Sequence, residues 1–178
     1  MRIRRLSTLG LLGMIALTTL GAQGPAEKAV PAPGGGGPQE AEVTGVLVDP
    51  QSRQPLVVLQ GKRDKRTLIL TIGHFEANGI ALPLQGVTPP RPLTHDLILA
   101  LLTEVKTSLS RIVITDLRSD IYYAVLYLDA GGHLLKVDSR PSDAIALALR
   151  AKVPILVEDR VFEKAERLNP KPGPSPHF

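Results

Sequence analysis

The sequence contains no cysteine among its 178 residues. This excludes a disulfide framework, a cysteine nucleophile and a lipid-modified cysteine near the N-terminus. Aromatic residues are also few, at 3%, and no glycine-rich phosphate-binding loop lies between a predicted strand and a predicted helix. Any metal ion must therefore bind through oxygen or imidazole ligands.

A strong net charge is missing as well. The formal net charge of +4 includes Arg2, Arg4 and Arg5, which lie in a segment that we expect to be removed, and only +1 remains without them. The rest of the chain therefore lacks the strongly basic footprint of many nucleic-acid-binding domains. With 43% hydrophobic and 21% charged residues, its composition is that of a globular domain.

The N-terminus has the order of a secretory signal peptide. A basic start is followed by an uncharged apolar stretch over residues 6–20 and by the small residues Gly21 and Ala22. We predict that residues 1–22 direct export to the periplasm or the extracellular space. The apolar stretch is shorter than the ~20 residues that span a bilayer. We therefore expect no stable membrane insertion after signal removal, and an N-terminal membrane anchor is the alternative.

Two segments have a composition that does not form a core. Residues 23–41 are rich in proline and glycine and predict a flexible linker, and residues 169–178 predict a disordered tail. The folded domain is expected between them, over residues 42–168.

Two groups of strands are predicted within this domain. Three antiparallel strands are expected at residues 43–48, 56–60 and 67–72, and three more at 111–117, 122–128 and 134–138, with a turn at 130–132. The strand at 122–128 is apolar on both faces, so we expect it to be central. A short strand is expected at 154–157.

Four helices are predicted around these strands. The first begins near His74 and carries Glu76, Ile80 and Leu84, although Gly79 and Pro83 are unfavourable residues in its second half. The second has Thr94 as its N-cap, and its apolar face is predicted to carry Ile98, Leu101, Leu102, Val105 and Leu109. A third begins at Pro141 and should be buried on most sides, and a fourth covers 161–168. The pattern predicts an α+β fold in which helices pack against an antiparallel or mixed sheet.

Four segments resemble one known family. Residues 138–148, DSRPSDAIALA, are similar to the signature of the bifunctional nuclease domain family. Residues 72–77 (IGHFEA), 91–97 (RPLTHDL) and 113–117 (VITDL) agree with the same family in order and separation. The resemblance implies a nuclease that degrades both DNA and RNA.

Three carboxylates are the candidate metal ligands and catalytic groups. Asp116 and Asp138 end predicted strands, and Asp143 lies in the first turn of the next helix. If these positions meet, their oxygens could share Mg²⁺ or Mn²⁺, which activates water and stabilises a phosphoryl group. The alternatives are turn formation or capping for the first two and helix-dipole stabilisation for Asp143.

Other polar residues are candidates for substrate contacts. Arg91 and Arg140 present guanidinium groups suited to phosphate, or else form structural ion pairs. Ser142 could bind substrate or cap its helix. His95 is a candidate general base or acid, expected to be accessible to solvent. Glu76 is expected to be a helix-start acid.

Tyr123 and Tyr127 share one face of a predicted strand. They could stack on bases, although packing in the core is favoured in a chain with so few aromatic residues. The leading hypothesis is an exported, metal-assisted nuclease with nucleic acid as its substrate. The alternative is a non-catalytic extracytoplasmic binding or scaffold module of the same fold. Apolar strand edges could also support a homo-oligomer.

Overall fold

The computed structural model describes residues 37–168, which form seven strands and four helices. The strands are β1 (Gln39–Val48), β2 (Pro55–Gly61), β3 (Thr67–Thr71), β4 (Ser108–Arg118), β5 (Ile121–Ala130), β6 (His133–Ser139) and β7 (Ile155–Val157). The helices are α1 (His74–Leu84), α2 (Thr94–Glu104), α3 (Pro141–Ala151) and α4 (Asp159–Leu168). None of the described helices is long and apolar enough to cross a membrane.

Regular structure begins within the segment that is predicted to be a linker. Strand β1 begins at Gln39, three residues before the predicted start at Glu42. The predicted signal peptide, the predicted tail and residues 23–36 of the predicted linker lie outside the described residues.

All seven strands belong to one mixed sheet in the order β3-β2-β1-β7-β4-β5-β6. Every neighbouring pair is antiparallel except β4 and β7, which are parallel. The predicted α+β class is confirmed, with a mixed sheet. Strand β5 is an inner strand that pairs with both β4 and β6, as its apolar faces predicted, while the three-residue β7 takes the middle position of the sheet.

Helix α3 is the best-buried helix of the described part. It contacts α1, α2, β4 and β5, and the side chains from Ala144 to Ala148 are all buried. Complete burial of an aliphatic side chain such as Ile145 contributes about 1.5–3 kcal/mol. The prediction of a helix buried on most sides is confirmed.

Helix α1 extends to Leu84 despite the unfavourable residues Gly79 and Pro83 in its second half. Pro83 has no N–H, so it cannot donate to the carbonyl of Gly79 four residues earlier. The Arg150 guanidinium of α3 donates a hydrogen bond to that carbonyl instead. The predicted helix through Leu84 is therefore confirmed, and a tertiary contact supplies the donor that the proline removes.

Helix α2 differs from its predicted form at both ends. Leu93, not Thr94, is the N-cap, and the Leu93 N–H donates to the Asp96 carboxylate at 2.8 Å. The helix ends at Glu104, and Leu109 belongs to β4. Ile98 and Leu102 pack against the core, whereas Leu101 and Val105 are 57% and 67% exposed. The predicted apolar face is therefore only partly covered.

Candidate functional site

A groove opens where the first turns of α1, α2 and α3 come together. It contains a cavity of about 740 Å³. Its polar lining includes Glu76 from α1, His95 from α2, and Arg140 and Asp143 from the start of α3. Phe75 lies at the rim with 89% of its surface exposed.

Arg140 is the centre of the polar network in this groove. Its Nε and Nη2 donate to the two oxygens of Asp143 at 2.6 and 3.0 Å, and its Nη1 donates to Glu76 Oε1 at 2.8 Å. The Arg140 side chain is nevertheless 64% exposed. The two carboxylates therefore fix the guanidinium in one orientation at the mouth of the cavity.

His95 lies behind this network. Its Nε2 is 3.4 Å from Asp143 Oδ1, and since an ionised carboxylate only accepts hydrogen bonds, Nε2 carries the proton in this contact. The ring packs against Gly79 of α1, where an added Cβ would be 2.9 Å from Cε1. The side chain is only 12% exposed, so the expectation of a solvent-accessible histidine is wrong.

The electrostatics follow from these contacts. Burial alone would raise the pKa of Asp143, but the hydrogen bonds and charge of Arg140, together with His95, outweigh burial and hold this pKa below its usual range. Asp143 and then Glu76 raise the pKa of Arg140. Both groups are therefore charged near neutral pH, and the two carboxylates leave the network with an excess of negative charge.

A second cavity shares Glu76 and Arg140 with the first. It has a volume of about 400 Å³, and Asp120, Tyr122 and Ser142 are among its lining residues. Ser142 is 8% exposed. The ion pair between Glu76 and Arg140 therefore lies between two adjoining cavities. Arg91 is exposed and precedes Pro92, which lines the larger cavity.

Glu76 is the groove residue to which sequence reasoning gave too little weight. Its side chain folds back over Gly73, where any Cβ would collide with Glu76 Oε2. A signal for this was present, since Gly73 and Glu76 both lie in the family-like segment IGHFEA. Gly73 and Glu76 are three residues apart at the start of α1, which permits the Glu76 side chain to fold over Gly73. The ion pair between Glu76 and Arg140, in contrast, depends on the tertiary fold.

Asp116 lies in a different environment. It is 5% exposed and accepts hydrogen bonds from Lys164 at 2.6 Å, Arg118 at 2.6 Å and the Leu117 N–H at 2.8 Å. The bonds from Lys164 and then Arg118 hold the pKa of Asp116 well below its usual range. Its charge is thus balanced by internal partners rather than presented to a ligand.

The structure does not bring the three predicted metal ligands together. Asp138 is exposed on β6 opposite Val125 of β5, whereas Asp143 faces the groove and Asp116 contacts α4. Within residues 37–168, no group of three or more histidine and acidic side chains is arranged to hold a metal ion. Glu76 and Asp143 are both bonded to Arg140, so these residues do not form a ready cation site. The divalent cation stays a prediction.

Two of the three tyrosines on β5 are not core residues. Tyr123 and Tyr127 are half-buried and are absent from the core cluster, which Tyr122 contacts. The guanidinium of Arg111 lies 4.1 Å from the ring centre of Tyr127, and that of Arg118 lies 5.3 Å from the ring centre of Tyr123. The favoured interpretation of these tyrosines as core residues is therefore wrong.

The fold and the groove together define an α+β domain with a polar, ion-paired cleft. The model of the bifunctional nuclease domain family matches residues 57–169. The chain therefore belongs to this family, as the four segments predicted.

Relatives of the chain come from bacteria and plants. The uncharacterized proteins MT1877 and Rv1829 of two Mycobacterium tuberculosis strains are each 44% identical to it over 131 residues, which cover 74% of this chain and 78% of each relative. Bifunctional nuclease 1 of Oryza sativa subsp. indica is 33% identical over 103 residues, which cover 55% of this chain. That match spans 31% of the plant protein.

Proposed function

We propose that this chain is an exported nuclease that hydrolyses phosphodiester bonds of DNA and RNA in the groove around Arg140. The observation that carries the proposal is an exposed arginine, fixed by two carboxylates at the mouth of a cavity, in a member of a nuclease family.

Arg140 is proposed to bind the phosphate. A guanidinium group has five N–H donors, and three of those of Arg140 are used by Asp143 and Glu76. Two donors remain on an exposed side chain. Because the guanidinium is already held in place, little side-chain entropy is lost when a phosphate oxygen accepts these donors.

Glu76 is proposed as the general base. Glu76 Oε1 accepts a hydrogen bond from Arg140. A water molecule activated by the second carboxylate oxygen of Glu76 would therefore lie close to a phosphate bound by Arg140. Asp143 and His95 then act as positioning residues, because Asp143 holds Arg140 and His95 holds Asp143. This assignment replaces the expectation that His95 itself exchanges protons with substrate.

A divalent cation is proposed on electrostatic grounds. Two carboxylates and one arginine give the groove an excess of negative charge, which repels a phosphodiester. Mg²⁺ or Mn²⁺ would reverse the sign of this charge. Export is likewise a proposal, supported by the composition of residues 1–22; the mass of the N-terminal peptide of protein recovered from the producing cells tests it.

The central test is cleavage of labelled single-stranded DNA and RNA by the purified chain, with Mg²⁺, with Mn²⁺ and with chelator. We expect Arg140→Gln to lower the rate about 100-fold or more, as for the loss of one donor to a developing anion. Glu76→Gln should have a comparable effect.

Arg63→Gln is the matched control. Arg63 Nη2 donates to both oxygens of Asp159 at 2.6 and 2.7 Å. This variant therefore also removes two hydrogen bonds of an arginine–aspartate pair, but outside the groove. Equal rates for the Arg140 and Arg63 variants would place catalysis elsewhere. No cleavage by the wild-type chain with any cation would remove the nuclease proposal.

A non-catalytic binding module is the alternative, and one observation favours it. Asp116 and Asp143 are both neutralised by internal partners, as expected of structural ion pairs. This alternative predicts that Asp143→Asn lowers the melting temperature while no turnover is found for any form of the chain.

A further inference from the structure

Basic and aromatic side chains cross the face of β4, β5 and β6 opposite the core. On β5, Ala124, Leu126 and Leu128 are buried in the core, so Tyr123 and Tyr127 point to the other face. Tyr127 is the register partner of Arg111 on β4 and of Lys136 on β6. Cross-strand partners share a face. Tyr127 therefore lies between the cations Arg111 and Lys136 in one row across the three strands.

Contacts between these side chains make the row a continuous surface. The Arg111 guanidinium is 4.1 Å and the Lys136 ammonium 5.5 Å from the ring centre of Tyr127. At the other end, Arg118 lies 5.3 Å from the ring centre of Tyr123. We call these five residues the tyrosine face. Its two rings are four residues apart on one strand, or about 13 Å at ~3.3 Å per residue.

The tyrosine face differs in charge from the groove. It contains three cations, and the nearby Asp116 is balanced by Lys164. Two exposed acids, Asp138 opposite Val125 and Asp129 two residues after Tyr127, lie in the adjoining rows of the same face, so its three cations outnumber its acids by one. The face therefore has an excess of positive charge where the groove has an excess of negative charge. A polyanion is attracted to the sheet more strongly than to the groove itself.

We propose that the tyrosine face is a binding surface for single-stranded nucleic acid, separate from the groove. Aromatic rings and arginine planes bind unpaired bases by stacking, whereas bases in a duplex have no free face to offer. The cations beside each ring suit the phosphates of the same strand. The inference rests on the proposed function only in taking nucleic acid as the ligand.

The test measures binding of the full chain to labelled phosphorothioate oligo-dT and oligo-U, which resist cleavage, by fluorescence anisotropy over a range of salt. Each phosphate contact contributes about 0.7 to the salt slope of single-strand binding. The double variant Arg111→Gln, Lys136→Gln should lower this slope by about 1.4 and weaken binding about tenfold. Lys136→Gln alone changes an exposed side chain and should lower the slope by about 0.7.

The matched control is the double variant Lys62→Gln, Arg63→Gln. It removes the same charge from the turn between β2 and β3, and it should bind as the wild-type chain does. A circular dichroism melt of each variant accompanies the titration. Equal loss of affinity in both double variants would overturn the inference, since net charge alone would then explain binding.

Two further outcomes would also overturn it. One is a duplex that binds as tightly as the single strand. The other is a wild-type dimer in sedimentation equilibrium that the Arg111 and Lys136 changes convert to a monomer, which would assign the face to a second copy of the chain. Because this assay does not depend on turnover, an inactive chain that still binds strands would refute the proposed nuclease and support the tyrosine face.

Discussion

Asp116→Asn should destabilise the domain without removing a group from the groove. The carboxylate of Asp116 is almost fully enclosed and receives one backbone and two charged donors. Asparagine has the same shape and keeps one oxygen that can accept from the Leu117 N–H. Its amide nitrogen, however, is a donor that would face Arg118 or Lys164, both of which are donors too.

The magnitude follows from the exposure of the partners. A hydrogen bond to a charged group contributes about 1.5–3 kcal/mol when it is shielded from water, but Lys164 is 41% and Arg118 67% exposed. Exposure reduces such contributions, so we expect Asp116→Asn to lower the free energy of unfolding by about 1–2 kcal/mol. For a domain of this size the melting temperature should fall by about 3–8 °C.

The assay is urea unfolding at neutral and acidic pH, with Asp138→Asn as control. Asp138 is exposed, so its replacement should change stability by less than about 0.5 kcal/mol. Because folding lowers the pKa of Asp116, its contribution is complete above the ordinary carboxyl value of 3.8 and is lost as pH falls through the lowered value. The difference between wild type and Asp116→Asn should therefore shrink below about pH 4.

Either of two results would refute this reasoning. Equal stability of the Asp116 and Asp138 variants at pH 7 would mean that the ion pairs contribute nothing. A folded Asp116→Asn protein that has lost nuclease turnover would mean that this carboxylate acts on substrate, as the sequence first suggested.

Three further predictions concern the groove and its support. Gly79→Ala should destabilise the wild-type chain despite a helix-propensity gain of about 1 kcal/mol, because the added Cβ overlaps the His95 ring. In a His95→Ala background the same change should become stabilising, and thermal melts of the four proteins in this double-mutant cycle measure both effects. Arg150→Met should lower the free energy of unfolding by about 3–5 kcal/mol, since it leaves the Asp96 carboxylate and the Gly79 carbonyl without this donor; a urea midpoint within error of wild type would contradict this. Asp143→Asn should flatten the loss of stability below about pH 4, because folding lowers the Asp143 pKa and its contribution disappears as pH falls through the lowered value; unfolding curves from pH 5 to pH 3 that coincide in shape with wild type would disprove it.

Local patterns predicted most of the strands and helices because each depends on short-range periodicity. The two antiparallel groups, the turn at 130–132 and the buried helix at Pro141 are all patterns of this kind. The periodicity of α1 reaches Leu84, but the donor that replaces the one missing at Pro83 could not be predicted, because it comes from Arg150, 67 residues later in the chain. The place of β7 in the sheet, between β1 and β4, could not be predicted either, because a strand of three residues does not specify which strands it pairs with.

The candidate site shows the same limit. The family-like segments contain Arg140, Asp143 and His95, and the fold brings these three side chains together. Residue type alone could not separate a carboxylate that faces a groove from one that an internal lysine neutralises, and Asp116 was therefore grouped with Asp143. The partner Lys164 lies on α4, 48 residues away, at no spacing that a pattern could reveal.

The position of β7 has a consequence for how the protein is made. This short strand joins β1 to β4, and its residues are added to the chain after those of the other six strands. Until Ile155–Val157 arrive, β1 and β4 each keep an unpaired edge, and the two three-stranded halves have no backbone bonds between them. A chain cut short before Ile155 would thus be a pair of open-edged halves prone to association with other chains, and a newly synthesised chain should remain dependent on chaperones until these three residues have been translated.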